Sequence, residues 1–308
     1  MQIILNPVSR HGAGRRLRPV IERELGSRGL QYTITETEGP GHAVELAREA
    51  ARSGVRRVVA AGGDGTVHEV VNGLMAAVGD PPALGLIPIG TGNDFVKMVP
   101  GTATPAQAFA TLAAGREVPV DVGIARWDSG SEHFINAMGT GIDVEVVRQM
   151  RRSGWMPGTM IYLAALVRAL IHYRALPVRI DVDGIESTGN IMILAVCNGP
   201  SIGGAFRVCP DARPDDGLLD ACIVRELPLH RIARVVARVL RGSHAGQPGV
   251  SLHRGTRFIL RTDSGRPLPF QLDGELREAS DGAGIEVSLA SRKLNVIRSA
   301  PAAAGRNG

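Results

Sequence analysis

Lysine is nearly missing from this chain: of 35 basic residues only Lys97 and Lys293 are lysines, which leaves 33 arginines. A P-loop requires Gly-Lys-[Ser/Thr], and neither lysine follows a glycine, so a Walker-type phosphate site is excluded. A protein-kinase centre is excluded too, because there is no His-Arg-Asp, no Asp-Phe-Gly and no lysine in a strand-like run. Cysteine is also scarce. Cys197, Cys209 and Cys222 are odd in number and lack Cys-x-x-Cys spacing, which speaks against a disulfide framework or a thiolate zinc site and for a reducing cytoplasm. No apolar run approaches the roughly 18–20 residues of a membrane span. The opening MQIILNPVSR is too short in its apolar part and wrongly flanked for a secretory signal, so a cytoplasmic chain is expected. The arginine excess suits phosphate, anionic membrane or nucleic acid. Its scatter, without interleaved aromatics, makes nucleic acid the poorest of the three.

What is present suffices for a folded globular protein, since 308 residues with 44% hydrophobic content furnish a core for one large domain or two. The first third alternates strand-like and helix-like stretches: 2–5 then 15–27, 32–37 then 42–52, 57–61 then 67–77, 84–89 then 105–114. This alternation predicts a doubly wound α/β unit with parallel strands. Ligands of such sheets bind beyond the carboxyl ends of the strands. Those ends carry Asn6-Pro7-Val8-Ser9, Thr37 with Gly39-Pro40-Gly41, Gly62-Gly63-Asp64-Gly65-Thr66, and Gly90-Thr91-Gly92-Asn93-Asp94. From about Val118 the texture changes to short β-like runs separated by turn formers such as Asp183-Gly184 and Asp216-Gly217, which predicts a mainly antiparallel β-rich second domain. The expected division is 1–120, 121–290 and a C-terminal segment 291–308 whose end, PAAAGRNG, is expected to be disordered. Helical insertions are expected over 157–173 and 228–241.

A Gly-rich turn leading into a helix makes an anion cradle from backbone amides, and the loops after the third and fourth strands both have that recipe. Gly63 is expected to leave room for phosphate and to hold a backbone conformation that a Cβ would oppose. Each loop also has a plainer reading as a tight turn, with Asp64 or Asp94 as helix cap. Asp121 reads equally as a strand-end turn, and Asp273 as a turn residue.

The paired motifs GGDGTVHEVVNG and GTGNDF resemble the diacylglycerol kinase catalytic-domain family, which includes bacterial soluble lipid kinases, sphingosine kinases and ceramide kinases. The resemblance extends over nearly the whole chain, through Asn6-Pro7 with Ser9, FINAMGTGID at 134–143, CNGPSIGGAFRVCPDARPDDGLLD at 197–220 and LDGE at 272–275. It implies a nucleotide-binding domain of the NAD kinase and phosphofructokinase type. It further implies ATP phosphates over Gly62, Gly63, Asp64, Gly65, Thr66, Val67 and His68, with further contacts from Asn6, Ser9, Thr37, Gly90, Thr91 and Asn93. Glu275 would be the general base for a lipid hydroxyl, with Asp64 and Asp273 beside it in the chemistry. Asp64, Asp94, Asp121 and Asp273 would form a magnesium network, partly through water. A second, structural cation would take the carbonyls of Arg213 and Leu218 and the side chain of Asp216, where a plain Asp-Gly turn is the alternative and Asp215 makes the assignment ambiguous by one residue. The sequence departs from the family at Arg10-His11-Gly12, where glycines often follow the serine, and at His68, where Asn is frequent.

The activity implied is transfer of the ATP γ-phosphate to a diacylglycerol-type lipid. The alternatives are an NAD kinase-like enzyme, whose GGDG turn is related, and a catalytically silent nucleotide-binding regulator. Met160, Leu163, Ala164, Val167, Leu170 and Ile171 fall at helical spacing with Arg151, Arg152, Arg168 and Arg174 around them, a candidate for peripheral contact with the inner face of the membrane. A helix packed on the β domain explains the same pattern. A homodimer is left open.

Overall fold

A computed structural model describes residues 1–152, 164–170, 175–262 and 264–300. Two compact units form, one from Met1–Val120 together with the chain from Arg292 onward, the other from Asp121–Ser291. The α/β first part and the antiparallel β-rich second part expected from the sequence are both present.

Unit 1 contains β1 (Gln2–Leu5), α1 (Ser9–Ser27), β2 (Thr33–Glu36), α2 (His42–Arg52), β3 (Arg57–Gly62), α3 (Asp64–Met75), β4 (Ala83–Pro88), α4 (Asp94–Met98), α5 (Pro105–Ala114) and β5 (Arg116–Val120). The strands β2-β1-β3-β4 are parallel in that order. Every residue of β4 and five of the six in β3 are buried, as strands covered on both faces by helices require. Ala43, Ala47 and Ala50 give α2 a thin inward face. Gly73 of α3 meets it closely, because a Cβ there would lie 2.3 Å from Val44 O. The segment after residue 290, set apart in the sequence, does not stand alone. It returns to this sheet as a last strand, Leu294–Arg298, parallel to β4 and antiparallel to β5. The PAAAGRNG tail lies outside the described residues.

Unit 2 is built on antiparallel pairings of β6 (Gly123–Trp127), β7 (Gly130–Phe134), β8 (Ala137–Gly141), β9 (Leu176–Val182), β10 (Ile185–Cys197), β11 (Leu219–Arg225), β12 (Val250–Gly255), β13 (Arg257–Arg261), β14 (Leu268–Leu272), β15 (Glu275–Ala279) and β16 (Ile285–Leu289), with Leu294–Arg298 of unit 1 numbered β17. The long β10 pairs β9 with its first half and both β8 and β11 with its second, so it joins two parts of the sheet. Phe134, Phe258 and Phe270 are fully buried between them. Helix α6 (Ile142–Arg152) follows β8 directly, α7 covers 164–170, and α8 is Leu229–Val239. Their apolar residues gather in a second cluster that includes Ile142, Val146, Leu166, Ala169 and Ile232. The three cysteines are free and buried, and burial pushes the Cys222 thiol up to about 12, which fits packing rather than reactivity.

Candidate active site

Hydrogen bonds show which of the loops after β1–β4 work together. Asn6, one residue past β1, donates from Nδ2 to Thr66 Oγ1 at 3.1 Å and accepts the Val8 N–H at 3.1 Å. That contact spans the point between β1 and β3 where the strand order reverses, the place where doubly wound sheets take their ligands. Ser9 N–H donates to Asn6 O and Thr37 N–H to Leu5 O, so both follow the end of β1 by backbone contact. The N-terminus of α2 is already served: Glu69 accepts the N–H groups of Gly41 and Ala43 at 2.9 and 3.1 Å. The N-terminus of α3 has no side-chain cap bond, and its first-turn N–H groups lack intrahelical acceptors.

Glycine is required here for space. A Cβ on Gly90 would lie 2.6 Å from Gly63 Cα, and one on Gly63 would lie 3.2 Å from Gly90 Cα, so the two turns touch backbone to backbone. Gly63 itself has φ −98° and ψ −170°, extended backbone open to any residue. The expected torsional reason for Gly63 is therefore corrected: its conformation admits any residue, and it is the neighbouring Gly90 that a side chain there would press on. Asp64 fastens the turns together, with Oδ2 accepting the Asn93 N–H and Oδ1 the Asp94 N–H, both at 2.7 Å. Gly92 makes room for that carboxylate, since a Cβ there would lie 2.6 Å from Asp64 Oδ2. Asn93 is left-handed, donates to Gly90 O at 3.0 Å, and has a buried Oδ1 with no hydrogen-bond partner among the described residues. Gly65 stands in the first turn of α3 and Thr91 is exposed between Gly90 and Gly92. Thr66, Val67 and His68 are buried, with His68 Nε2 3.4 Å from Asn72 Nδ2.

In unit 2, Glu275 opens β15 opposite Leu272. Asp273 and Gly274 between them both have positive φ, 50° and 92°, as a tight two-residue hairpin of the I′ kind requires. The turn is held from two sides. Asp273 accepts three backbone N–H groups, from Ile135 at 2.8 Å and from Asn136 and Ala137 at 2.9 Å. Gln271, 2% exposed, accepts the Gly274 N–H at 2.6 Å and donates to Asp143 Oδ2 at 2.8 Å. Gly139 leaves the room, because a Cβ there would lie 2.0 Å from Asp143 Oδ2 and 2.8 Å from Gln271 Nε2. Asp273, expected among the catalytic and magnesium groups, thus has its carboxylate turned onto the loop at 135–137.

The other carboxylates of the expected magnesium network fall in both units and have partners of their own. Asp121 belongs to unit 2, where its carboxylate accepts the Gly217 N–H at 2.8 Å and its own N–H donates to Pro214 O. Among the described residues no three His, Cys, Asp or Glu side chains come together as a metal group. Asp64 and Asp94 do share one loop pair in unit 1. At the second cation turn, Asp216 Oδ1 accepts the Leu218 N–H at 3.1 Å and closes an Asx turn between Arg213 and Leu218.

Sequence reasoning gave no role to Asp143, Gln271, Glu69, Asn136 or Asn198, although all but Gln271 lie inside motifs that carry the family resemblance. The last two tie the strand ends together: Asn198 Nδ2 donates to Asp121 O and Ile135 O, both at 2.8 Å, and Asn136 Nδ2 to Ser201 O at 3.0 Å. It also missed a pocket in unit 2, whose walls are the inner faces of α6, α7 and α8 over β10 and β11. The cavity measures about 70 Å³, and among the described residues Asp143 is the one charged member of its lining of Val, Ile, Leu, Met, Phe, Ala and Cys. Most of the expected membrane helix at 157–173 lies outside the described residues. In the part described, Ala165, Leu166 and Ala169 are buried against the core, and Val167 is 50% exposed. No helix among the described residues is long and apolar enough to cross a membrane.

Comparison with known proteins gives these features a setting. Residues 1–125 match the diacylglycerol kinase catalytic domain, and residues 136–298 match the YegS C-terminal NAD kinase beta sandwich-like domain. The chain is 30% identical over 279 residues, 89% of each protein, to a diacylglycerol kinase of Bacillus subtilis. It is 33% identical over 258 residues, 82% of each, to a Xanthomonas euvesicatoria protein named "Probable lipid kinase YegS-like". A crystal structure from Bacillus anthracis assigned to the diacylglycerol kinases superposes with a TM-score of 0.81 at 25% identity, covering 97% of this chain and 94% of that one. By sequence and by fold, the chain belongs to the family of diacylglycerol kinases and YegS-like lipid kinases.

Proposed function

We propose that this lipid kinase transfers the γ-phosphate of ATP to the hydroxyl of a diacylglycerol-type lipid, with Glu275 as the general base. One observation carries the reading: Asp143, the only charged residue of the apolar pocket among the described residues, is linked through Gln271 to the hairpin that bears Glu275. A pocket walled by aliphatic side chains suits an acyl chain, and a carboxylate at its wall suits the hydroxyl of the same molecule. In the transfer the lipid oxygen forms a bond to the γ-phosphorus, the bond from that phosphorus to the β–γ bridging oxygen breaks, and the hydroxyl proton passes to the Glu275 carboxylate. Asp273 and Gln271 hold the base in place, so that little geometry remains to be organised when substrate arrives.

ATP fits unit 1 on two grounds: the N-terminus of α3 stands beside the closely packed turns of Gly63 and Gly90 with no side-chain cap, and Asn93 Oδ1 is a buried acceptor without a partner among the described residues. Magnesium binds through one or two carboxylates plus substrate phosphates, so Asp64 and Asp94, which share one loop pair, are a sufficient donor set. When bound, the ion would neutralise charge developing on the β- and γ-phosphates. A second cation at Arg213, Asp216 and Leu218 is part of the same proposal. The test is incubation of the purified chain with γ-labelled ATP, magnesium and separate samples of diacylglycerol, monoacylglycerol, phosphatidylglycerol, sphingosine, ceramide and NAD. Label in the organic phase, strongest with diacylglycerol, is expected. Label on NAD and on no lipid would overturn the reading.

A further inference from the structure

Between Leu227 and Thr262 the sequence contains no aspartate or glutamate, and four arginines of this stretch, Arg231, Arg234, Arg238 and Arg241, belong to α8 and its last turn. At 100° per residue they fall on one side of the helix, while Ile232, Val235, Val236 and Val239 fall on the other and line the apolar pocket. Arg254 and Arg257, farther along, are paired with Asp220 and Glu286. The four on α8 have no acidic partner among the described residues. Leu240, at the end of the same helix, is 40% exposed, and α7, which also lines the pocket through Leu166 and Leu170, exposes Val167.

We propose that the outer face of α8 docks unit 2 on an anionic lipid bilayer. Each arginine near such a surface adds attraction to a plane of negative charge, and the exposed aliphatic residues add shallow burial among the headgroups. A bilayer suits this face better than nucleic acid, because α8 has no Phe, Tyr or Trp on which a base could stack. The inner face of the same helix walls the pocket, so docking would set the pocket at the surface from which a water-insoluble substrate comes. The proposal rests on the lipid-kinase reading for that last consequence only.

The test is sedimentation with phosphatidylcholine vesicles and with vesicles containing phosphatidylglycerol. Replacing Arg231, Arg234, Arg238 and Arg241 together by Gln is expected to lower partition onto the anionic vesicles on the order of 100-fold, and 0.5 M salt to do nearly as much to the wild type. The corresponding four Lys replacements should retain binding, and the Gln variant should keep wild-type turnover on a short-chain diacylglycerol dissolved as monomer. Equal binding of wild type and Gln variant to the anionic vesicles would overturn the proposal. So would a loss of soluble turnover in the Gln variant, or a wild type that ignores vesicles but loses self-association or duplex-DNA binding on substitution. Vesicle binding that depends on these arginines, in a protein that phosphorylates no lipid, would uphold the docking face and refute the proposed activity.

Discussion

Around the loops of unit 1, space is made by residues that have no side chain: Gly63 and Gly90 press backbone against backbone, Gly92 lies against the Asp64 carboxylate and Gly62 against the Thr66 side chain. In unit 2 the corresponding work falls to side chains. Three amides donate to Asp273, Gln271 bridges Gly274 to Asp143, and a shell of aliphatic groups from three helices and two strands encloses the pocket. The difference follows from the ligands each half would take. Phosphate is recognised by N–H groups that any sequence owns once the chain can approach closely, whereas an acyl chain needs many apolar surfaces brought in from distant positions.

The sharpest break in that comparison should come at Glu275. Glu275→Gln keeps size and hydrogen bonding but removes basicity, so lipid phosphorylation should fall about 10² to 10⁴-fold while ATP affinity measured by calorimetry stays within error. Near-normal turnover would sink the base assignment. A lesser effect is expected at Gly139→Ala, where the new methyl would press on Asp143 and Gln271. Turnover should drop about 10- to 100-fold with ATP affinity unchanged, because displacement of the hairpin by even one ångström is costly; a variant as active as wild type would show that the Asp143–Gln271 link does not position Glu275.

Smaller effects separate stability from function. His244 is fully buried, with Nε2 donating to Val208 O at 2.9 Å, and burial lowers its pKa below the ordinary 6.5. Between the folded and unfolded values the unfolded chain binds more protons, so this contribution is complete above about pH 6.5 and is lost as pH falls below it. Thermal unfolding of the wild type should therefore shift down between pH 7.5 and 5, and His244→Gln should make that slope shallower by about 2–4 °C. An unchanged slope would remove His244 from the acid response. The smallest effect concerns Arg10 and His11, which stand at φ 46° and 54° where the chain turns into α1. Left-handed backbone costs roughly 1–2 kcal/mol, of which glycine's extra unfolded-state freedom takes back about half, so His11→Gly should raise the melting temperature by about 1–3 °C. A lower melting temperature would mean that His11 makes a contact worth more than its strain.

The same comparison explains what could be read from the sequence. The parallel strands of unit 1 are short apolar runs between helices, and its loops are local Gly/Thr/Asp words, so both were legible. Unit 2 was legible only as texture. In the sequence, 118–125 and 133–137 each read as one β-like run, and the structure breaks both. The first is cut at Asp121, whose N–H leaves for Pro214 O, and the second at 135–137, whose amides go to Asp273. Neither partner is near in sequence. Strand β15, ELREA, was missed because it lies at a sheet edge, where charge is favoured. Helix α6 was missed because IDVEVV has the β-branched residues of a strand, and packing of Ile142 and Val146 into the helical cluster overrides that preference. Pocket residues run from Ile142 to Val239, so no window of sequence contains them.

The division of labour is tested most directly by crossing two variants against two substrates. Gly90→Ala would press its methyl on Gly63 Cα, and Ile232→Trp would fill the pocket from α8. Steady-state kinetics on folded proteins should show Gly90→Ala raising KM for ATP about tenfold or more with KM for diacylglycerol near wild type, and Ile232→Trp doing the reverse. If Ile232→Trp raised KM for ATP and left the lipid term alone, the pocket would not be the acyl site, and the assignment of lipid to unit 2 would be contradicted.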